Sequence, residues 1–184
     1  MKHTICPWYI GYFLASPVRN ILYNPRKILA PWIRPGTTAL DIGSGMGFFS
    51  LPMAELVGEQ GKVIAVDIQP QMLSRLKKRA AKRQLLHRIN LQLCNESSLN
   101  LGPRPNSADF ALMFAVVHEL PDSRKAFQEV YDTLASGGLL LFAEPDKHVS
   151  RTAFEHSAAI AAGCGFTIAD RLNITANHAV LLKK

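Results

Sequence analysis

The stretch Ala39-Leu40-Asp41-Ile42-Gly43-Ser44-Gly45-Met46-Gly47-Phe48-Phe49 decides how this chain folds. Its short apolar run predicts a buried strand that ends near Asp41 and enters a glycine loop. Because glycine lacks a Cβ atom, Gly43 and Gly45 can adopt backbone angles that other residues avoid and let a ligand approach the main chain closely. We expect Gly47 to let the following helix pack tightly on the strand. An acid at the strand end favours a ligand with positive charge or hydrogen-bond donors.

The spacing of these glycines differs from that of a dinucleotide-binding loop. Such loops follow G-x-G-x-x-G and place a pyrophosphate on a helix N-terminus. Here the pattern is G-x-G-x-G, and Phe48 stands where the third glycine is expected. An acid ahead of this loop resembles motif I of the class I S-adenosylmethionine (SAM)-dependent methyltransferases, whose cofactor carries a sulfonium but no phosphate. The resemblance implies that the methionine end of SAM is held by Asp41, Gly43, Gly45 and Gly47.

A second segment resembles motif II of the same family. Residues 62–67, Lys-Val-Ile-Ala-Val-Asp, are rich in β-branched side chains and end in a carboxylate about 20 residues after the glycine loop. In α/β nucleotide-binding folds, an acid at this place accepts hydrogen bonds from the ribose hydroxyls. The resemblance implies that Asp67 binds the ribose of SAM and that Ile68 packs on the adenine.

Two further segments extend the predicted cofactor site. In residues 92–99, Asn95 stands where family members commonly have an Asp that contacts the adenine amino group, and Glu96 follows it. An asparagine oxygen can accept the same hydrogen bond. The alternative is that this segment is only a polar turn. We also place Phe114, at the end of the fourth predicted strand, in the cofactor site.

The sequence after Phe114, Ala-Val-Val-His-Glu-Leu-Pro-Asp, resembles the V-L-H-E-x-P-D segment of members that methylate quinones and other small molecules. His118 can deprotonate a hydroxyl or amine acceptor, because imidazole titrates near neutral pH, and Glu119 lies beside it. The alternative is structural, with both residues capping the next helix or bracing the loop. Glu144 follows the fifth strand, where it either shapes the acceptor pocket or lies on the surface.

Strands and helices alternate after residue 36, which predicts a parallel sheet with helices on both faces. The predicted strands are 38–42, 62–66, 88–93, 109–114 and 139–143, then a hairpin of 166–172 and 178–183. The predicted helices are 25–33, 47–57, 70–83, 122–134 and 149–162, and residues 136–138 are a predicted turn. Together with the family resemblance, this indicates an α/β fold with a Rossmann-like, seven-stranded, mostly parallel sheet and a C-terminal antiparallel hairpin.

Residues 1–35 differ from the rest of the chain. They contain no Asp or Glu, but both tryptophans and three of the four tyrosines. In the family, the segment ahead of motif I often folds over the acceptor. We therefore expect residues 1–35 to cover the acceptor site and residues 36–184 to form the methyltransferase core; the alternative is that these aromatics pack on the sheet edge. Such a segment suits a hydrophobic or anionic acceptor, and also weak contact with an anionic membrane surface.

Composition and charge limit the other partners. The 184 residues, 48% hydrophobic and 19% charged, suit one globular domain with a net charge of +7. Residues 75–83 carry a basic cluster, which is either a solvated helix face or a contact for nucleic acid, anionic lipid or an acidic small substrate. The leading prediction is an enzyme that uses SAM, releases S-adenosylhomocysteine and methylates a small-molecule or lipid-like acceptor. An RNA methyltransferase and a SAM-binding regulatory protein without turnover are the alternatives.

The cysteines and the N-terminus bear on the compartment. The three cysteines are far apart in sequence and match neither a zinc site nor a disulfide framework. The apolar residues 5–15 are too short to span a bilayer and lack a clean signal-cleavage site. We therefore expect a reducing compartment and, because SAM is made there, the cytoplasm.

Overall fold

The computed structural model describes residues 24–102 and 106–184, which contain one seven-stranded sheet. Its strands are β1 (Thr38–Ile42), β2 (Lys62–Asp67), β3 (Ile89–Leu93), β4 (Ala108–Phe114), β5 (Leu134–Pro145), β6 (Thr167–Ile174) and β7 (Asn177–Lys183). They lie in the order β3-β2-β1-β4-β5-β7-β6. Strand β7 runs antiparallel to both neighbours, whereas the other neighbouring pairs are parallel. The predicted mostly parallel sheet with a C-terminal hairpin is confirmed.

Five helices accompany the strands in the described residues. They are α1 (Pro25–Leu29), α2 (Ser50–Leu56), α3 (Pro70–Lys82), α4 (Ser123–Thr133) and α5 (Arg151–Gly163), with 3₁₀ turns at Leu86–Arg88 and Val117–Glu119. Side chains at the start of three helices accept hydrogen bonds from backbone amides of the first turn. These capping residues are Asn24, Asp122 and Ser150. Proline begins α1 and α3, where a missing amide hydrogen is tolerated.

The hydrophobic core lies on both faces of the sheet. Along β4, Phe110 and Leu112 belong to one buried cluster, and Ala111 and Met113 belong to the other. Alternate side chains of a strand point to opposite faces, so both faces of this central strand are covered. Helix α1 and the turn after it pack on the cluster that contains Phe110 and Leu112, through Leu29 and Ile33.

Several element boundaries differ from the predicted ones, most of them by one or two residues; the three largest differences are at the end of α1, which stops at Leu29 rather than at residue 33, and at the starts of α2 and β5. Helix α2 begins at Ser50 rather than at residue 47, because Gly47 has a φ of +84° and cannot belong to a right-handed helix. Strand β5 begins at Leu134 rather than at residue 139. Its pairing with β4 jumps from Leu134 to Leu139, so the predicted turn at 136–138 is a bulge within the strand.

The order of the strands places the ligand site. Connections leave in opposite directions from β1 and β4, which are neighbours in the sheet. Open α/β sheets bind ligands in the crevice that this reversal opens at the carboxyl ends of the strands. Within the described residues, no helix is long and apolar enough to cross a bilayer.

Candidate functional site

A cavity of about 480 Å³ lies at the carboxyl ends of the central strands. Much of its wall is apolar and includes Val66, Met72, Leu99 and Val116. The structure brings seven predicted site residues to this wall, and they are Gly43, Gly45, Asp67, Ile68, Asn95, Glu96 and Glu119. The cavity therefore joins the glycine loop, the acid after β2 and the turn after β4.

Asp67 is held at the cavity by backbone amides. Its Oδ2 accepts a hydrogen bond from the Gly45 amide at 2.7 Å, and its Oδ1 accepts one from the Gln69 amide at 2.8 Å. The residue is 8% exposed, and this burial raises the pKa of its carboxyl group, while the amide hydrogen bonds oppose the rise. A carboxylate oxygen can accept more than one hydrogen bond, so Asp67 keeps acceptor capacity toward a ligand.

The glycine loop follows the tip of β1 closely. The amides of Gly43 and Ser44 both donate to the Val66 carbonyl at 2.9 Å. A Cβ atom added to Gly43 would lie 2.6 Å from Val116, so a side chain there would collide with the turn after β4. Gly45 has a φ of +53°, and a Cβ atom added there would have no other atom within 4 Å. The space beside Gly45 is thus open to a ligand.

The other end of the loop is fastened to α3. A Cβ atom on Gly47 would lie 2.3 Å from Leu76 of that helix and 3.4 Å from Leu51 of α2. The Arg79 guanidinium donates a hydrogen bond to the Met46 carbonyl, and burial lowers the pKa of Arg79. Gly47 therefore serves packing, as expected, although its closest neighbour is α3 rather than the following helix.

Asp41 lies behind the loop. The residue is 3% exposed and does not line the cavity, and its Oδ2 accepts a hydrogen bond from the Ser50 hydroxyl. Burial raises the pKa of Asp41 to about 7, the Ser50 hydrogen bond opposes the rise, and the nearby charge of Asp67 adds to it. Phe114 is likewise outside the wall, since its ring packs on Phe49 with centroids 4.7 Å apart. Direct cofactor contact by these residues stays a prediction.

The segment after β3 forms the polar turn that was the alternative to an adenine contact. The Oδ1 atom of Asn95 accepts hydrogen bonds from the Ser97 amide at 2.9 Å and the Ser97 hydroxyl at 2.7 Å. A carbonyl oxygen has two lone pairs, so both are used within the turn. Asn95 and Glu96 nevertheless line the cavity. The Asn95 amide nitrogen is therefore the group with which this side chain can meet a ligand.

His118 is paired with a buried carboxylate. Its Nδ1 atom lies 2.5 Å from Oε2 of Glu144, whose Oε1 accepts hydrogen bonds from the amides of Val117 at 2.7 Å and His118 at 3.2 Å. Glu144 is 1% exposed, so it is neither a surface carboxylate nor part of the cavity wall. The Glu144 hydrogen bond raises the pKa of His118, and burial opposes that rise.

His118 itself is outside the cavity wall, whereas Glu119 is part of it. The Nε2 atom of His118 lies 3.9 Å from Oε1 of Glu119. The sequence singled out both residues and left open whether they act in catalysis or brace the turn. The structure shows a braced turn that also places a carboxylate on the cavity wall.

Some residues at the site gave no sequence signal. Ala115 lines the cavity with a φ of +57°, a left-handed conformation that is uncommon for alanine. Cys94 also lines it, and burial, with a contribution from the charge of Asp67, raises the pKa of its thiol to about 11. The thiol is therefore protonated and weakly nucleophilic at neutral pH. Among the described residues, no group of His, Cys, Asp and Glu side chains is arranged to hold a metal ion.

A family model described as a methyltransferase domain matches residues 33–176 of this chain. The chain belongs to this family. Because the match covers the glycine loop and Asp67, the predicted membership in the class I SAM-dependent methyltransferases is confirmed, with SAM as the cofactor of the family.

Curated relatives and a solved structure agree with this assignment. The demethylmenaquinone methyltransferase of Oceanobacillus iheyensis is 32% identical over 112 residues, which are 61% of this chain and 46% of the relative. The arsenite methyltransferase of Halobacterium salinarum is 32% identical over 115 residues, 62% of this chain and 28% of the relative. This chain thus spans less than half the length of these two relatives.

The solved structure is a SAM-dependent methyltransferase from Aquifex aeolicus. It matches with a TM-score of 0.86 and 23% identity, and the match covers 97% of this chain and 98% of that chain. At this level of identity the likeness establishes the Rossmann-like fold.

Proposed function

We propose that this protein transfers the methyl group of SAM to a small-molecule or lipid-like acceptor in the cavity at the strand tips. The observation that carries the proposal is Asp67, fixed at the cavity by the Gly45 and Gln69 amides beside a loop that leaves open space at Gly45. Asp67 and the glycine loop would hold the cofactor, which supplies an activated methyl group on sulfur. A carboxylate acceptor beside a loop of backbone amides suits a nucleoside with free ribose hydroxyls and an amino-acid tail.

The size of the cavity and its largely apolar wall support a small acceptor. Its volume of about 480 Å³ lies within the range of ordinary small-molecule sites. Cys94 is the one cysteine of the described residues on this wall, and its thiol is protonated at neutral pH. A site for a metalloid held by several thiolates therefore has no support in residues 24–102 and 106–184. We favour an organic acceptor.

Residues 1–35 were expected to cover the acceptor. The structure describes residues 24–35, whose Leu29 and Ile33 pack into the core, and residues 1–23 lie outside the described residues. Cover of the acceptor by residues 1–35, whose composition is aromatic and free of Asp and Glu, stays a prediction.

Weak contact with an anionic membrane surface is part of the same proposal. Helix α3 contains no acid, its Met72 lines the cavity, and Lys77, Lys78 and Lys82 are exposed on it. Clustered lysines on the helix that also contributes Met72 to the cavity suit an anionic lipid surface. Sedimentation with phosphatidylglycerol vesicles should fall when these lysines become glutamine. A matched variant with glutamine at Lys125, Lys147 and Lys183 should still sediment, and equal sedimentation of the two variants would refute the contact.

Calorimetry with SAM, S-adenosylhomocysteine and NAD tests the cofactor assignment. We expect binding of SAM and S-adenosylhomocysteine and no binding of NAD, because the loop lacks the dinucleotide spacing. Binding of NAD alone would refute the proposal.

A labelled-methyl assay then tests turnover. Purified protein and methyl-labelled SAM are incubated with cell extract, which is afterwards separated into lipid, small-molecule, RNA and protein fractions. We expect label in the lipid or small-molecule fraction. Label in RNA would favour an RNA methyltransferase, and cofactor binding without label would favour a regulatory protein. We propose the cytoplasm, where SAM is made, as the compartment of the reaction.

A further inference from the structure

Glu144, near the end of β5, contacts His118 in the turn after the neighbouring strand β4. It is 1% exposed at the end of β5, and each of its two oxygens accepts from the turn after β4. The Val117 and His118 amides fix Oε1, which leaves Oε2 aimed at Nδ1 of the imidazole, 2.5 Å away. A carboxylate at this distance accepts a hydrogen bond from the Nδ1–H group, so neutral His118 keeps its proton on Nδ1 and its lone pair on Nε2.

The Nε2 atom faces Glu119, which connects His118 to the cavity. Oε1 of Glu119 lies 3.9 Å from Nε2, and Glu119 is on the cavity wall. This distance is longer than a hydrogen bond but within ion-pair reach, so proton transfer requires the two side chains to approach further. On the other side, 31% of the His118 side chain is exposed to solvent. The charged groups that act on His118 are Glu144 on β5 and Glu119 on its own turn.

We propose that Glu144 is a positioning residue that fixes the Nδ1–H tautomer of His118, whose Nε2 receives, by way of Glu119, the proton lost by the methyl acceptor. The inference rests on the proposed function and narrows its substrate class. It assigns to the cavity an acceptor whose reacting atom bears hydrogen, such as a phenol, a hydroquinol or a primary or secondary amine.

The chemistry balances without a further reactant. The bond between the methyl carbon and sulfur breaks with its electron pair on sulfur, and a bond forms from the electron pair of the acceptor atom to carbon. The acceptor proton passes to the Glu119 carboxylate and then to Nε2 of His118. The partly exposed imidazole then releases this proton from Nε2 to water. A tertiary amine or a thioether loses no proton and has no use for this arrangement.

The first experiment follows the ionisation of His118 without an acceptor. Histidine labelled with ¹³C at Cε1 is titrated by NMR in wild-type protein and in Glu144→Gln, with the His118 signal assigned by its absence in His118→Asn. We expect Glu144→Gln to lower the His118 pKa and to change its Nδ1–H tautomer. The control, Glu155→Gln, removes a carboxylate that pairs with Arg171 instead, and should leave the His118 titration unchanged. An unchanged titration in Glu144→Gln would overturn the inference.

The second experiment measures labelled-methyl transfer to the extract fraction that the wild-type protein labels. We expect Glu144→Gln to reduce turnover by up to about 100-fold, the lower end of what a positioned general base contributes, and to move the rising limb of the pH–rate profile to lower pH, with S-adenosylhomocysteine affinity within twofold of wild type. Where Glu144→Gln does not fold, His118→Asn at its exposed position should show the same loss. Wild-type turnover in these variants would overturn this inference alone. No transfer by the wild-type protein, despite folded samples, would overturn the proposed function and this inference together.

Discussion

The two sides of the cavity are built in different ways. On the β1–β2 side, backbone amides of the glycine loop and of Gln69 hold the Asp67 carboxylate. On the β4–β5 side, one side chain holds another, since Glu144 orients His118 from 26 residues away. The first arrangement depends on local spacing and glycine geometry, whereas the second depends on which strands the fold brings together. The comparison teaches that local backbone geometry and tertiary side-chain contact can each hold a ligand site rigid. Substitutions on the two sides distinguish these two causes.

The largest expected effect concerns Asp41, behind the β1–β2 side. Its folded pKa of about 7 is above its ordinary value of 3.8, so the native protein binds a proton that the unfolded chain has released. Native stability therefore falls as pH rises from about 4 to about 7, by about 1.4 kcal/mol per pH unit at most. Asp41→Asn should remove this fall. Between about pH 4 and about pH 7, the free energy of unfolding of the variant should therefore rise by roughly 4 kcal/mol relative to that of the wild type.

Urea unfolding at pH 4.5 and pH 7.5 measures the effect. Asp67, whose pKa is raised by burial, leaves a residual fall of the same sign in the variant. Asp146→Asn, at an exposed position, is the control and should parallel wild type. Parallel pH dependence of Asp41→Asn and wild type would show that Asp41 ionises freely.

Gly47→Ala tests whether the glycine loop is rigid because of packing. The new methyl group meets Leu76 at 2.3 Å, and the backbone φ is +84°. Overpacking and left-handed strain together should lower the free energy of unfolding by about 2–4 kcal/mol. Gly102→Ala, with a φ of +68° and no atom within 4 Å, carries the strain without the collision, and should lose about 1 kcal/mol. If denaturant unfolding shows equal losses of stability in the two variants, Leu76 of α3 moves away from the new methyl group without cost.

Asp67→Ala sharpens the comparison at the cofactor. The change leaves the Gly45 and Gln69 amides without their acceptor and removes the group assigned to the ribose hydroxyls. We expect S-adenosylhomocysteine binding to weaken by about 1–3 kcal/mol in calorimetry. Glu144→Gln, on the other side of the cavity, should bind nearly as wild type. Unchanged affinity in Asp67→Ala would remove this residue from the cofactor site.

The smallest expected effect is on stability at the β4–β5 side. Glu144 raises the pKa of His118 in the folded protein above its ordinary value of 6.5. The pair therefore adds stability that is full below pH 6.5 and disappears as pH rises through the raised value. Urea unfolding of Glu144→Gln and wild type should differ more at pH 5.5 than at pH 9. A difference in stability that grows with pH would contradict the prediction that Glu144 stabilises protonated His118.

Most of the fold follows from local sequence pattern. Strand β1 has the predicted limits, 38–42, because an apolar run meets an acid and a glycine there. The start of β5 was predicted wrongly because Ser-Gly-Gly at 136–138 is typical of a turn. The backbone of Lys184 pairs with this bulge through Gly137 and Gly138, a contact between distant parts of the chain that local sequence cannot indicate.

The site was predictable to the extent that spacing defines it. Asp67 was found from its distance to the glycine loop and its position at a strand end. The capture of the Asn95 oxygen by Ser97 had a local signal, because Asn followed two residues later by Ser is typical of a side-chain turn. The Glu144–His118 pair and the anchor from Arg79 to the Met46 carbonyl had none. Both depend on tertiary packing.

The attachment of the glycine loop to α3 has a consequence for binding entropy. Leu76 blocks one end of the loop, and Arg79 holds a carbonyl in its middle. A loop already ordered in this way loses little further freedom when a ligand arrives, so more of the contact energy remains as affinity. Opening it would require α3 to move as well. The amide hydrogens of the loop should therefore be among the slowest of the site to exchange with solvent.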